Sequence, residues 1–399
     1  MKRPNVCFAS YTGKEGSQIT PPLDESLDVS HRLADLRTWQ AEWQRIDRLL
    51  EEQLTGMSGN NLLELQQSAH ISNARRRMEM TLVKQSLNIP KSVLKNLGVR
   101  AIRDQFAQQF ARLSKEERLL WLNSFLFFMT ADLRKLDDKI AKVRGYRSLG
   151  QTRNFLLGGE SGMGKTTYLD WLIFHHLPTV EEERNRVPII GIQAPVSQNT
   201  ARPLLWRMLL ECGQTYVKSD NEEILLMKLV LYFQKCGVEL IVIDEVQHIK
   251  RPELKRRVLE VSNMTRGIPM ICAATHPITW TEGDAEIKGR WNDFFQLKQY
   301  TGTRLDDLLA TIEVFLPFSQ DSHLCRREIE GSSGPAALIE QWTGGILRDI
   351  MILIRDGCRR AIEENRPCLE QSILEATWKD IQTEQVTDFL DLIRQREKR

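Results

Sequence analysis

The sequence lacks the features that mark several large function classes. Its seven cysteines, Cys7, Cys212, Cys236, Cys272, Cys325, Cys358 and Cys368, are scattered and form no CxxC pair. That argues against a disulfide framework or a cysteine-built zinc site, and it predicts reduced thiols in a cytoplasmic protein. Seven histidines do not gather beside them, so no structural metal is expected. The longest apolar stretch, Leu119 to Met129 (LLWLNSFLFFM), is too short to span a bilayer and is expected to form a buried helix. The first residues, MKRPNVCFASYTGKEG, lack the apolar centre of a signal peptide. No membrane partner is expected. An excess of one charge is missing too: 55 Lys and Arg against 53 Asp and Glu leave a net charge of +2. Any contact with nucleic acid must therefore come from local basic patches.

The 399 residues are enough for two or three domains, and 41% hydrophobic with 27% charged residues is ordinary for a globular protein. The texture changes along the chain. Residues 1 to about 30 carry Pro4, Pro21 and Pro22 and read as an extended arm. A helix is predicted from Ser30, with Leu33, Leu36, Trp39, Trp43, Ile46, Leu49 and Leu50 in one stripe. Further helices are predicted over 62–87, 91–113 and 115–142, the last opened by a capping box in which Ser114 precedes Glu117 by three residues. From about Arg147, short apolar runs alternate with helical patterns. NFLLGG, VPIIGIQAP, VELIVIDE, IPMICAAT and FFQLKQY are five strand candidates. Unbroken apolar strands separated by helices predict an α/β fold with a parallel sheet covered on both faces. After Pro317 the pattern is helical through Arg399.

One segment carries clear chemistry. Gly159-x4-Gly164-Lys165-Thr166 follows a strand and opens a helix, which is the P-loop pattern in its proper context. Gly159, Glu160, Ser161, Gly162, Met163, Gly164, Lys165, Thr166 and Thr167 are the candidate nucleotide-binding residues. Backbone N–H groups and the helix N-terminus face phosphate there. Lys165 is expected to reach the β- and γ-phosphates of ATP, and Thr166 to ligate Mg²⁺. LIVIDE, Leu240 to Glu245, predicts a buried strand delivering two carboxylates. Asp244 is expected to hold Mg²⁺ and Glu245 to polarise the attacking water. Thr275, at the end of the strand from Ile268, is expected beside the P-loop, in contact with the γ-phosphate or the water. A chance motif, a core strand ending in solvated acids and a turn threonine are the plainer alternatives to these readings.

The order of P-loop, VPIIGIQAP, LIVIDEVQHI, IPMICAATHP, IKGRWNDFFQL, TIEVFLPFS and WTGGILRDIMILIRDGCRRAI resembles the TniB/TnsC group of AAA+ ATPases, which regulate DNA transposition in Tn7-like transposons. The resemblance covers about residues 140 to 380. It implies an AAA+ P-loop core over 131–316, a C-terminal helical lid and tail over 317–399, and a helical, partner-binding N-terminal extension over 1–130. It implies an ATPase that forms a homo-oligomeric ring or helical filament on double-stranded DNA and recruits a transposase to a site marked by a target-selection protein of the TniQ/TnsD type. Hydrolysis would then disassemble it. Arg290 takes the arginine-finger position, reaching a neighbour's γ-phosphate, and Arg348 the sensor-2 position of the lid. KVRGYRSLGQTR occupies the region that packs on the adenine in the family. The sequence departs from the group at Ala274-Thr275, usually Gly-Thr, and at Trp291, usually Phe.

For DNA, Thr200, Arg202 and Arg207, with Lys218 beyond, are one candidate set, placed where related initiator-type ATPases make their contacts. Lys250 and Arg251 head a second, KRPELKRR. No aromatic ladder is visible, so contacts to the backbone are expected. The RRR at Arg75 to Arg77, the tryptophans Trp39, Trp43 and Trp121, and the tail DLIRQREKR are further partner-surface candidates, each with solvated or core residues as the plainer reading. Other functions sharing these residues remain open at this point: an initiator or helicase-loader ATPase in DNA replication, a small-molecule P-loop kinase, or a nucleotide-gated scaffold.

Overall fold

The computed structural model describes residues 28–34, 36–38, 41, 91–123, 129–145, 153–176, 178–180, 185–196, 200–214, 219–265 and 267–383. Five strands form one sheet: β1 (Phe155–Gly159), β2 (Ile189–Gln193), β3 (Leu240–Asp244), β4 (Met270–Ala274) and β5 (Asp293–Leu297). Their order is β2-β3-β4-β1-β5 and every pairing is parallel. Side chains alternate between the two faces. Phe155, Leu157, Leu240, Val242, Ile271 and Ala273 enter one core, whereas Leu156, Ile190, Ile192, Ile241, Ile243, Met270 and Cys272 enter the other. Both faces are buried, so both alternating sets must be apolar, and the strands read as unbroken hydrophobic runs.

The second of these cores is closed by α-helices Arg202–Glu211, Glu222–Lys235 and Pro252–Met264 and by the segment containing Trp280, Ile287 and Trp291. The first is larger. It joins the helix after β1, Lys165–Phe174, to helices from both before and after the sheet. We label the elements that matter below α1 (Lys91–Phe110), α2 (Lys115–Asn123), α3 (Ala131–Gly145), α4 (Lys165–Phe174), α5 (Arg202–Glu211), α6 (Glu222–Lys235), α7 (Pro252–Met264), α8 (Thr303–Phe315), α9 (Pro335–Thr343) and α10 (Leu347–Glu363). α1 packs on α8 and α2 on α10. Trp121, on α2, is fully buried, and its indole N–H donates to the Phe315 carbonyl at 2.9 Å. Arg103, on α1, donates to the carbonyls of Phe318 (3.0 Å) and Gln320 (2.8 Å). These bonds satisfy carbonyls at and beyond the end of α8 that its own backbone leaves without partners.

Several sequence expectations are refined. The capping box is present: Ser114 N–H donates to Glu117 Oε2 at 3.0 Å, and Glu117 N–H to Ser114 Oγ at 3.2 Å. The single helix expected over 115–142 is instead two, α2 and α3. The Thr130 hydroxyl accepts from the Leu133 N–H at 3.3 Å and so starts a new helix within the pattern. Of the apolar run 119–129, residues 124–128 lie outside the described residues, and α2 is described as far as Asn123. The chain after Pro317 is not helical throughout. A two-stranded hairpin, Glu328–Ile329 with Ser332–Ser333, intervenes before α9. Its turn is set by positive φ at Glu330 (49°) and Gly331 (80°). Another two-residue hairpin, Thr179–Val180 with Asn185–Arg186, is too short for hydrophobic period to reveal. Leu33 and Leu36 are buried, as their stripe predicts, and Val29 just before it is buried as well. The rest of that stripe, including Trp39 and Trp43, lies outside the described residues, as do the helix expected over 62–87, Arg75 to Arg77 and the tail from 384. Among the described residues no helix is long and apolar enough to cross a membrane.

Two consecutive glycines join α9 to α10. Gly345 has φ of 76°, and its carbonyl accepts from the Tyr300 N–H at 2.8 Å. A Cβ there would lie 2.5 Å from the Tyr300 carbonyl oxygen. Gly345→Ala should therefore destabilise the chain by more than about 1 kcal/mol, through strain and a backbone clash together. The urea midpoint of unfolding measures it, with Gly289→Ala, at a position with no neighbour within 4 Å, as the control.

Candidate functional site

The chain leaves β1 for β2 on one side and comes back last to β5 on the other. The crevice at the carboxyl end of β1 is therefore a switch point of the sheet, where ligands of such folds bind. Three candidate groups arrive there on neighbouring strands: the P-loop from β1, Thr275 from β4 and the Asp244–Glu245 pair from β3. They open into a cavity of about 470 Å³. Ser161, Gly162, Gly164, Lys165, Thr166, Thr167, Glu245 and Thr275 line one part. Thr130, Leu133, Leu308, Leu347, Arg348, Met351, Ile352 and Arg355 line the rest.

The loop is shaped by its glycines. Gly162 has φ of 83°, and a Cβ on it would lie 2.9 Å from the Ile346 side chain. Any larger residue would be strained and would push Ile346 and Arg348 away. Lys165 is 6% exposed, and its ammonium donates to the carbonyls of Gly159 at 2.6 Å and Glu160 at 3.0 Å. Burial pushes its pKa down, against the opposing pull of Glu245 and Asp244. The Thr166 hydroxyl donates to Asp244 Oδ2 at 2.6 Å, and Asp244 Oδ1 accepts from the Glu245 N–H at 2.8 Å. These two hard oxygen donors, on adjacent elements, suit Mg²⁺ with its preference for oxygen and retained water. The cavity size, the buried ammonium and the loop backbone suit a nucleoside triphosphate.

Glu245 sits in the left-handed region, with φ of 58° and ψ of 37°. For a non-glycine residue this costs of order 1–3 kcal/mol, and such strain clusters at functional sites. It bends the chain sharply after β3 and brings the carboxylate to the cavity. Gln247 Nε2 donates to Glu245 Oε2, and His248 Nε2 lies 3.9 Å from the same oxygen. These two orienting groups were not singled out in the sequence. Their signal was their place in EVQH, directly after the acidic pair.

Other predicted residues fall elsewhere. Gly159 contributes its carbonyl to Lys165, and Glu160 accepts from Gln299 Nε2 at 2.9 Å on the surface. Met163 is a core residue, 2% exposed, that props the loop from beneath. Arg348 lines the cavity; its N–H donates to the Gly162 carbonyl at 2.9 Å and its Nε to Asp349 Oδ1 at 2.9 Å. Arg290 does not line the cavity of its own chain. It ends the short helix Ala285–Arg290, exposed, next to buried Trp291, whose ring meets that of Trp280 edge-on at 5.4 Å. Most of the segment KVRGYRSLGQTR lies outside the described residues.

Residues 118–300, somewhat under half of the chain, match the family model described as bacterial TniB protein. The resemblance to the TniB group holds there. No curated protein matches the sequence. Among solved structures, the Orc1 protein of Aeropyrum pernix in complex with DNA is similar at 16% identity, over 65% of this chain and 66% of that one, with a TM-score of 0.41. Cdc6p of Pyrobaculum aerophilum is similar at 11% identity, over 62% and 66%, with a TM-score of 0.43. The RuvB Holliday junction branch migration motor of Thermotoga maritima is similar at 15% identity, over 64% and 72%, with a TM-score of 0.40. The chain thus spans just under two thirds of the first two. Likeness at this level carries no argument about activity. The TniB-type segment includes the P-loop, the acidic pair, Thr275 and Arg290, and ends before Arg348.

The basic candidates divide. Thr200 is exposed just before α5, Arg202 begins that helix partly exposed, and Arg207 donates to the Gln193 carbonyl at 2.7 Å. Lys218 lies outside the described residues. In KRPELKRR, Lys250 and Arg251 are exposed at the start of α7. The rest are engaged: Lys255 with the Trp280 carbonyl, Arg256 with Asp284 at 3.4 Å, and Arg257 with Glu222, Glu223 and Glu260.

Lys165→Ala should abolish the rise in melting temperature that ATP with Mg²⁺ gives the unaltered chain. At ligand a hundredfold above Kd that stabilisation is about 2.7 kcal/mol, so differential scanning fluorimetry reads its loss directly.

Proposed function

We propose that this chain is a cytoplasmic AAA+ ATPase that assembles with ATP and Mg²⁺ into a ring or helical filament on double-stranded DNA. The assembly passes a site marked by a TniQ/TnsD-type target-selection protein to a transposase, and hydrolysis takes it apart. What carries this reading is the meeting of Lys165, the Thr166–Asp244 pair and strained Glu245 at one cavity inside a TniB-type segment.

The roles follow from chemistry. Lys165 would exchange its two loop carbonyls for phosphate oxygens, a stronger charge-assisted partner. Thr166 and Asp244 would hold Mg²⁺, which neutralises charge on the phosphates when bound. Glu245, fixed by its backbone bend and by Gln247, would take the proton of the attacking water. Thr275, between the two strands that bring these groups, would position that water or the γ-phosphate. Arg290 is exposed and does not line its own cavity, which suits a residue completing a neighbour's site. Arg348, anchored to the P-loop through its backbone, would report the phosphate state to the lid. On DNA, Thr200, Arg202, Arg207, Lys218, Lys250 and Arg251 would contact the backbone, and sequence choice would fall to the partner. Residues 1–130 are proposed as the partner-binding extension.

Two substitutions separate assembly from turnover. Glu245→Gln should keep ATP-dependent assembly on duplex DNA and slow hydrolysis by about 10²–10⁴-fold, because binding groups remain while proton abstraction is lost. Arg290→Ala should remove the dependence of hydrolysis on protein concentration, lowering turnover by as much as roughly 10³-fold or more. Electron microscopy with a slowly hydrolysed ATP analogue or ADP, together with phosphate release, checks both. Isolated single copies in both nucleotide states, hydrolysing at a rate indifferent to DNA, would overturn the proposal.

A further inference from the structure

We propose that Arg355, with the Thr130 hydroxyl, recognises the base of the bound nucleotide through acceptor atoms of the purine, so that the site takes GTP as well as ATP. The inference rests on the nucleotide-binding reading above and adds the base specificity of the same site.

The phosphate end of the cavity is fixed by Gly162, Gly164 and Lys165, and α10 begins beside it. The Arg348 N–H donates to the Gly162 carbonyl at 2.9 Å, and a Cβ on Gly164 would meet Leu347 at 3.2 Å. The cavity then follows α10 for two turns, past Met351 and Ile352 to Arg355. At 1.5 Å of rise per residue, Arg355 lies roughly 10 Å further along the helix than Arg348. Leu133, Leu308, Met351 and Ile352 line the same cavity and give it apolar walls suited to a flat ring.

Its polar groups are donors. The Arg355 Nε is shielded from solvent and makes no hydrogen bond among the described residues; Asp356 Oδ1 lies 3.7 Å away. A guanidinium has five N–H groups and cannot accept. The Thr130 Oγ1 already accepts from the Tyr300 hydroxyl at 3.1 Å and from the Leu133 N–H at 3.3 Å, so its own hydrogen is left to donate. Among the described residues, Glu245 beside the P-loop is the one carboxylate, amide or imidazole that lines the cavity. Guanine presents O6 and N7 side by side as acceptors, a match for an arginine fork. Adenine presents N7 beside an amino donor. A donor-rich end favours the first and tolerates the second through N7. Pyrimidines lack N7 and the second ring that the apolar walls would cover.

The test is displacement of a fluorescent ATP analogue from the full chain by ATP, GTP and CTP, each with Mg²⁺. GTP should compete within about tenfold of ATP, with CTP weaker, since one bidentate contact is worth roughly 5- to 150-fold. Arg355→Ala should weaken GTP about tenfold or more and ATP less, while Arg355→Lys, keeping the charge without the fork, should recover ATP but not GTP. Thr130→Val should weaken both purines by a smaller factor. Rejection of GTP by the unaltered chain more than about a hundredfold, or an Arg355→Ala chain with an unaltered ATP-to-GTP ratio, would overturn the inference and leave the proposed function standing. Failure of every nucleotide to bind the unaltered chain would overturn both.

Discussion

The 2.6 Å hydrogen bond between the Thr166 hydroxyl and the Asp244 carboxylate is the point on which the site depends. It joins the start of the helix after β1 to the end of β3, two strands separated in the sheet by β4. The same carboxylate turns its other oxygen to the Glu245 N–H, at the residue whose left-handed backbone brings the second acid to the cavity. One buried aspartate therefore sets the registry of the phosphate loop against the strained turn. The two-faced apolar sheet holds both ends still enough for that contact to form, and Met163 and Tyr168 pack the loop and its helix into the larger core.

The helices before the sheet are not a detached appendage. Trp121 and Arg103 bond to carbonyls at and just past the end of α8, and Lys115 Nζ reaches the Glu363 carbonyl at the end of α10 at 3.3 Å. Both α8 and α10 line the cavity, as does Thr130 at the start of α3. Arg304 binds Asp132, and the Tyr300 hydroxyl meets Thr130, so the chain after β5 is tied to α3 as well. Force applied to these N-terminal helices has a short packed path to the walls of the cavity. A fully buried tryptophan such as Trp121 contributes roughly 3–5 kcal/mol to stability, which makes that path stiff.

Charge on the surface is sorted by partners rather than by sequence runs. KRPELKRR reads as one basic patch, but Arg257 is held by three glutamates, one of them, Glu260, three residues on along its own helix. Lys250 and Arg251 stand exposed at its head, and Arg256 is exposed while it pairs with Asp284. Exposure, not composition, decides which cations can meet a phosphate backbone.

The sequence alone determined the parallel sheet, because strands buried on both faces must be apolar at every position, and it determined the phosphate loop, because glycine spacing and the following helix form a local pattern. It also showed the capping box at Ser114, another short-range device. It did not show that Gln247 and His248 flank Glu245, that Met163 is a core prop, or that Arg355 and Thr130 line the same cavity. The last of these depends on residues at the start of α3 and on α10, more than two hundred residues apart, lining one cavity. Local sequence has no periodicity that encodes such a meeting; only the packing of the large core on one face of the sheet brings it about.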